Sequence, residues 1–202
     1  MTLIYLVRHG ETDWNRAGLI QGSTDIPLNE LGREQASASG RLFAGGHHGR
    51  RWHGIYSSPL TRALDTGKII AAELGIAHVQ PLAALVERNY GDAEGFTNRE
   101  VARRYPGATE VPGRETRDAV AARVLPALMA LGRRHIGEAI IVTTHGGVIR
   151  TLLDHLAPDD HAHRGSAIAN GSVHSFSHAD GALELVRFND PCVTESGHRG
   201  VS

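Results

Sequence analysis

Ala139-Ile140-Ile141-Val142-Thr143 reads as the clearest buried strand of the chain, and it runs through Thr144 into His145-Gly146-Gly147. So short and uniformly apolar a run fits a strand covered on both faces, because a half-exposed strand would alternate. The glycines after it open a helix from Val148 to Leu156. Leu3 to Val7 is a second such run, and it too ends at a histidine, in Arg8-His9-Gly10. Ile55-Tyr56-Ser57 and His78 to Gln80 read as two further short strands. Residues 8–28 look irregular, with Gly18, Gly22 and Pro27.

Helical patterns lie between these runs. Asn29 caps a helix through Leu31, Gln35, Ala38 and Leu42. Leu60, Ala63, Leu64, Gly67, Ile70, Ala71 and Leu74 recur at helical spacing, and Gly75 reads as the C-cap. A helix from Asn98 to Tyr105 stops at Pro106-Gly107. A longer one runs from about Thr116 to Arg134, with Pro126 expected to kink or interrupt it. Ser172 to Ser177 and Leu183 to Phe188 flank Asp180-Gly181 as an antiparallel hairpin. Alternating strands and helices predict an α/β fold of three layers, α/β/α, with a mostly parallel sheet and a C-terminal antiparallel hairpin. Residues 1–190 read as a single domain and residues 191–202 as a flexible tail.

Composition narrows the function. The 202 residues suffice for a sizeable core. Basic and acidic residues number 21 and 22, for a net charge of -1, so no global basic field exists to bind nucleic acid and any anion site is local. The apolar run before Arg8 is too short for a signal-peptide core or a membrane span. The one cysteine, Cys192, cannot form an internal disulfide, which favours a reducing compartment. A cytoplasmic enzyme-sized domain is expected, with no membrane partner. A homodimer is compatible with the sequence.

Ligands of open α/β sheets bind beyond the C-terminal ends of strands. Two such ends carry His9 and His145. A neutral imidazole is a competent nucleophile near neutral pH. Arg8 beside it can bind phosphate oxygens in a bidentate way. His145-Gly146-Gly147 sits at a helix N-terminus, whose N–H groups and dipole suit an anion, and glycine lets the backbone approach closely. Ser57-Ser58-Pro59-Leu60-Thr61-Arg62-Ala63 puts Arg62 on the first turn of a helix, where a bound anion would compensate its charge. Glu87 follows a loop, and a carboxylic acid there with a raised pKa can protonate a leaving alcohol. Glu94 and Glu11 compete for that role.

Arg8-His9-Gly10-Glu11-Thr12-Asp13-Trp14-Asn15 resembles the signature of the histidine phosphatase superfamily, in its phosphoglycerate-mutase-like branch. Gln21-Gly22, Asp25-Ile26-Pro27-Leu28, Leu31-Gly32 and Gln35-Ala36 continue the pattern. So do Ser57 to Ala63, Glu87, Gly91, Glu94-Gly95 and Thr144-His145-Gly146-Gly147, so the match covers Leu3 to roughly Phe188. An isolated Arg-His-Gly is weak; several motifs in order are specific. The resemblance implies that His9 attacks phosphorus and becomes phosphohistidine. It implies that Arg8, Arg62 and His145 hold the phosphoryl oxygens, helped by Asn15 and the Gly146 N–H. Glu87 would give its proton to the leaving oxygen and then help activate water. Gln21, Gly22, Arg88 and Tyr90 are the further substrate-binding candidates. Two arginines and a protonated His145 would supply the charge such a reaction needs, so no metal and no cofactor are expected.

Blander readings stand beside these. Asn15 can cap the local chain. Trp14 fits packing better than ligand contact. His47-His48 and His161-Ala162-His163 raise a metal site, but neither has cysteine partners or a familiar ligand spacing. Arg103-Arg104 and Arg133-Arg134 fit solvated helix ends. The family holds both phosphatases and bisphosphate-dependent phosphoglycerate mutases. Glu87-Arg88-Asn89-Tyr90-Gly91 resembles the mutase version, although mutases place histidine at Asn89. Only about twenty residues separate Gly95 from the long helix, where mutases carry a longer basic insertion, and this favours water as the acceptor. The expected partner is therefore a small-molecule phosphate monoester, with a mutase or a non-catalytic binding domain on the same fold as the alternatives.

Overall fold

The computed structural model describes residues 1–45 and 51–190. His47-His48 and the expected C-terminal tail lie outside the described residues.

One six-stranded sheet organises the molecule, in the order β3-β2-β4-β1-β5-β6. Its strands are β1 (Thr2–Arg8), β2 (Ile55–Ser57), β3 (Val79–Pro81), β4 (Ala139–Thr144), β5 (Val173–Ala179) and β6 (Ala182–Arg187). The first four run parallel, whereas β5 pairs antiparallel with β1 and β6 with β5. This is the expected mostly parallel sheet with its terminal hairpin. Asp180 and Gly181 turn that hairpin with φ of 52° and 79°, the left-handed pair that matches strand twist.

Side-chain alternation in the central strands divides the core. Ile4, Leu6, Ile140 and Val142 face α5 (Arg117–Arg134) and α6 (Gly146–Leu156) through Val124, Leu128, Ile149 and Leu152. Tyr5, Val7 and Ile141 face α2 (Glu30–Gly45) and α3 (Thr61–Glu73) through Phe43 and Ile70. Both faces are covered, which is why β4 is buried at all six positions and reads as a continuous apolar run.

Several local expectations shift. The Asn29 side chain caps α2 by accepting the Gly32 N–H at 2.8 Å. Its buried face, however, is Gly32, Ala36, Ser39, Gly40 and Phe43, and Leu31 is exposed. Small residues win there because two backbones approach: a Cβ on Gly32 would stand 2.1 Å from the Glu11 carbonyl oxygen. α6 begins at Gly146 with His145 as N-cap, two residues earlier than expected. β3 lies one residue later than His78 to Gln80. A short helix, α1 (Asp13–Arg16), occupies part of the stretch expected to be irregular, closed by a capping box between Thr12 and Asn15. α4 spans Asn98–Arg104 behind a Thr97–Glu100 capping box. Pro126 does not interrupt α5. Pro126 and Ala122 are both exposed, so the Ala122 carbonyl that loses its helical partner can bond to water.

Candidate active site

Register brings the functional strand ends level. Arg8 lies opposite Thr144, and Ser57 opposite Thr143, so β1, β4 and β2 hand over to loops side by side. The His9 N–H extends the β1–β4 ladder to the Thr144 carbonyl at 2.9 Å. The His9 and His145 rings consequently stand 5.2 Å apart between centroids. α2 packs on one face of the sheet and α6, after β4, on the other, so the crevice lies where the connections diverge.

A cleft of about 430 Å³ opens at these strand ends. Arg8, His9, Asn15, Gln21, Gly22, Arg62, Glu87, Arg88, Tyr90 and Gly146 all line it. His145 alone among the predicted site residues is not on the wall; it is fully buried behind His9, its Nε2 2.7 Å from the Ser58 hydroxyl.

The His9 Nδ1–H donates to the Gly10 carbonyl at 2.7 Å, and Nε2 has no hydrogen-bond partner among the described residues. Burial pushes this imidazole well below its usual 6.5, and the charges of Arg8 and Arg62 push it further. It is therefore neutral, with a free lone pair on Nε2. Arg62 is also fully buried. It donates to the Gly22 carbonyl at 2.7 Å and the Thr24 carbonyl at 2.9 Å, and its Nε has no partner among the described residues. Arg8 donates from Nη1 to the Ile168 carbonyl and likewise leaves Nε unpaired.

Glu87 is 8% exposed. Its carboxylate accepts N–H groups from Arg88 at 2.7 Å, Gly147 at 3.0 Å and Val148 at 3.2 Å. Burial raises its pKa; the Gly147 and Arg88 N–H groups and the two arginines oppose that, and burial wins. Two of the free N–H groups at the start of α6 are thereby used, and the Gly146 N–H has no acceptor among the described residues. The competing acids are otherwise engaged. Glu94 binds the loop at Ser23 and Thr24, and Glu11 accepts the Asn29 side-chain amide at 2.8 Å.

His145 corrects one expectation. The sequence leads to a protonated, charge-supplying group, whereas burial, together with Arg62, His9 and Arg8, pushes it well below 6.5 and keeps it neutral in the ligand-free protein. Among the described residues no cluster of three or more His, Cys, Asp or Glu side chains could hold a metal. His163 is buried against the Ala157 carbonyl at 2.7 Å and the Arg150 guanidinium. Arg103, Arg104, Arg133 and Arg134 are exposed and away from the cleft.

Sequence reasoning missed several neighbours of the site. The Asn170 amide donates to the His9 carbonyl and to Asn15 Oδ1, both at 3.0 Å. Its position just before β5, the strand beside β1, was the only signal. Arg150 lies one turn after Gly146 on α6, the spacing that shares a helix face. Arg117, at the start of α5, reaches the cleft with no sequence cue.

Comparison with known proteins agrees with this geometry: the family model of the histidine phosphatase superfamily (branch 1) matches residues 4–191. The chain belongs to that superfamily. A metal-independent phosphoserine phosphatase of Arabidopsis thaliana is 39% identical over 163 residues, covering 75% of this chain and 67% of the relative. A 2,3-bisphosphoglycerate-dependent phosphoglycerate mutase of a Methylobacterium strain is 37% identical over 166 residues, 75% of this chain and 78% of its own. Among solved structures, a mycobacterial glucosyl-3-phosphoglycerate phosphatase superposes with a TM-score of 0.79 at 29% identity, over 93% of this chain and 98% of that one. This histidine phosphatase thus has both phosphatases and mutases among its relatives. Among the described residues no helix is long and apolar enough to cross a membrane.

Proposed function

We propose that this histidine phosphatase hydrolyses phosphate monoesters through a phosphohistidine on His9, without a metal. One observation carries the reading: a buried, neutral His9 with a free Nε2 shares a cleft with the half-buried Arg8, the fully buried Arg62 and a buried carboxyl whose pKa is raised. Nε2 attacks phosphorus while Arg8, Arg62, Asn15 and the Gly146 N–H hold the non-bridging oxygens. The ester P–O bond breaks and its oxygen takes the Glu87 proton. Glu87, now a carboxylate, accepts a proton from water as that water attacks phosphorus. The P–N bond breaks, releasing inorganic phosphate and restoring both groups. A phosphoryl dianion beside His145 raises its pKa again, so it acts as a donor once substrate is bound.

The acceptor is water because the segment after Gly95 is short: α4 and its loop pack as a small cluster around Ala93, Val101 and Val111 rather than as a long basic flap. The mutase reading is favoured by Arg88 and Tyr90, which line the cleft as the mutase-like stretch implies. Substrates carrying a carboxylate beside the ester, as in the phosphoserine of one relative, suit the additional Arg88 and Arg117 side chains.

Turnover of p-nitrophenyl phosphate with and without EDTA tests the proposal. Activity that survives EDTA and is lost in His9→Ala supports it, and no turnover of any phosphate ester sinks it. Interconversion of 2- and 3-phosphoglycerate dependent on a bisphosphate primer would establish the mutase instead. A panel of phosphate monoesters ranked by kcat/KM then identifies the substrate.

A further inference from the structure

The loop from Gln21 to Asp25 is gripped from two sides, and its end is tied to the start of α3, where the Asp25 carboxylate accepts the Thr61 N–H at 2.9 Å and the Thr61 hydroxyl at 2.7 Å. On the inner side Arg62 donates to the carbonyls of Gly22 and Thr24. On the outer side the Glu94 carboxylate accepts five hydrogen bonds. Oε1 takes the Ser23 N–H at 2.9 Å, the Ser23 hydroxyl at 3.2 Å and the Tyr90 N–H at 3.0 Å. Oε2 takes the Thr24 N–H at 2.9 Å and the Thr24 hydroxyl at 2.5 Å. Three of the five partners are backbone N–H groups, which only donate, and they reach both oxygens, so the set favours the ionised carboxylate. Partial burial works against that, but the hydrogen bonds outweigh it and hold Glu94 below the usual carboxylate range. Gly22 makes the wrap feasible: its φ is +56°, and a Cβ there would stand 1.9 Å from Glu94 Oε1.

Arg62 needs this support. Its nearest carboxylate, Asp25, is 4.0 Å away, so its aim rests on two loop carbonyls rather than on an ion pair. A loop of this kind wanders unless its backbone is tied down.

We propose that Glu94 is a positioning residue for phosphoryl binding: by clamping the backbone of Ser23 and Thr24 it fixes the two carbonyls that aim Arg62 into the cleft. The proposal rests on the reading of Arg62 as a phosphoryl ligand. It predicts that the effect of Glu94 passes through Arg62 and disappears when Arg62 is absent.

A double-mutant cycle tests this, with wild type, Glu94→Gln, Arg62→Ala and the double variant. The readouts are kcat and KM on p-nitrophenyl phosphate and, independently of turnover, the affinity for inorganic phosphate by calorimetry. Glutamine keeps the size of Glu94 but turns an NH₂ toward groups that also donate, so one side of the clamp opens. Phosphate affinity and kcat/KM should fall roughly tenfold to a hundredfold in the wild-type background. In the Arg62→Ala background the same change should cost less than about twofold. Equal losses in both backgrounds overturn the proposal, since Glu94 would then act only on the fold. No loss in the wild-type background overturns it too. Should Glu94→Gln fail to fold, Thr24→Val removes a single hydroxyl bond to Glu94 and should give a smaller loss with the same non-additivity. A wild-type protein that binds phosphate but hydrolyses no monoester defeats the hydrolase reading and leaves the cycle on phosphate affinity to decide the role of Glu94.

Discussion

Glu87 Oε2 accepts the backbone N–H of Gly147 at 3.0 Å, so the proposed proton donor is seated on the first turn of the helix whose Gly146 N–H is the proposed phosphoryl ligand. Two opposing effects meet in that contact. Helix N–H groups favour the carboxylate, burial favours the neutral acid, and burial prevails. The proposed acid and the proposed anion site are thus mounted on one helix.

Glu87→Gln cannot supply a proton to the leaving oxygen or take one from water. With p-nitrophenyl phosphate, whose leaving group needs little protonation, the variant should show a burst of one p-nitrophenol per site followed by turnover slowed roughly a hundredfold or more. Acid-labile phosphohistidine should accumulate. A variant with neither burst nor trapped phosphate would remove Glu87 from the second step.

The activity profile should fall on its alkaline side as Glu87, with its raised pKa, loses its proton. Its acid side belongs to His9, whose lowered pKa lets it stay neutral well below pH 6.5. A rate for alkyl phosphates still climbing above about pH 8 would contradict this assignment.

Two glycines should separate stability from activity. A Cβ on Gly10 would meet the Gly32 backbone oxygen at 2.1 Å, so Gly10→Ala must push α2 from the nucleophile loop. It should lose about 3 kcal/mol, or roughly 5–10 °C in Tm. On Gly147 the obstacles are side-chain ends, Glu87 Oε1 at 2.5 Å and the Tyr90 hydroxyl at 2.8 Å. Gly147→Ala should keep its Tm within about 2 °C, since alanine favours the helix, while kcat falls about tenfold or more. The reverse pattern in thermal melts and kinetics would refute the packing argument.

Asn170→Ala removes the donor shared by the His9 carbonyl and Asn15 Oδ1. The Thr12 N–H still holds Asn15 at 3.2 Å, so the effect is partial. KM should rise about threefold to tenfold, with a smaller change in kcat. A loss confined to kcat would mean that Asn170 serves the nucleophile rather than Asn15.

Acid should destabilise the fold through its buried histidines. His174 is pushed down to about 4 by burial and by Arg150, with Asp190 opposing. A histidine with a lowered folded pKa binds its proton more readily when unfolded. Its contribution is therefore complete above 6.5 and lost as pH falls toward 4. A shift of that size corresponds to about 3 kcal/mol. Urea unfolding of His174→Gln should show a shallower loss of stability over this range than wild type, with His9 and His145 supplying what remains.

Periodicity alone placed the strands and the main helices, because an apolar run between polar punctuation has few ways to be buried. The motifs around His9, Arg62, Glu87 and His145 were legible as residue types with a shared chemistry. Their meeting was not, since it depends on the register of β1 against β4 and β2, which a single chain does not print. Tertiary structure singled out Glu87 as the proposed acid, because Glu94, Glu11 and Glu87 differ in partners and burial rather than in local sequence. It also decided the protonation of His145: its neutrality comes first from burial and then from Arg62, His9 and Arg8, all distant along the chain. Asn170 and Arg117 were invisible for the same reason. The sequence by itself determined the family, the fold class and the candidate reacting groups; their charges and their aim come from burial and from neighbours that only folding brings together.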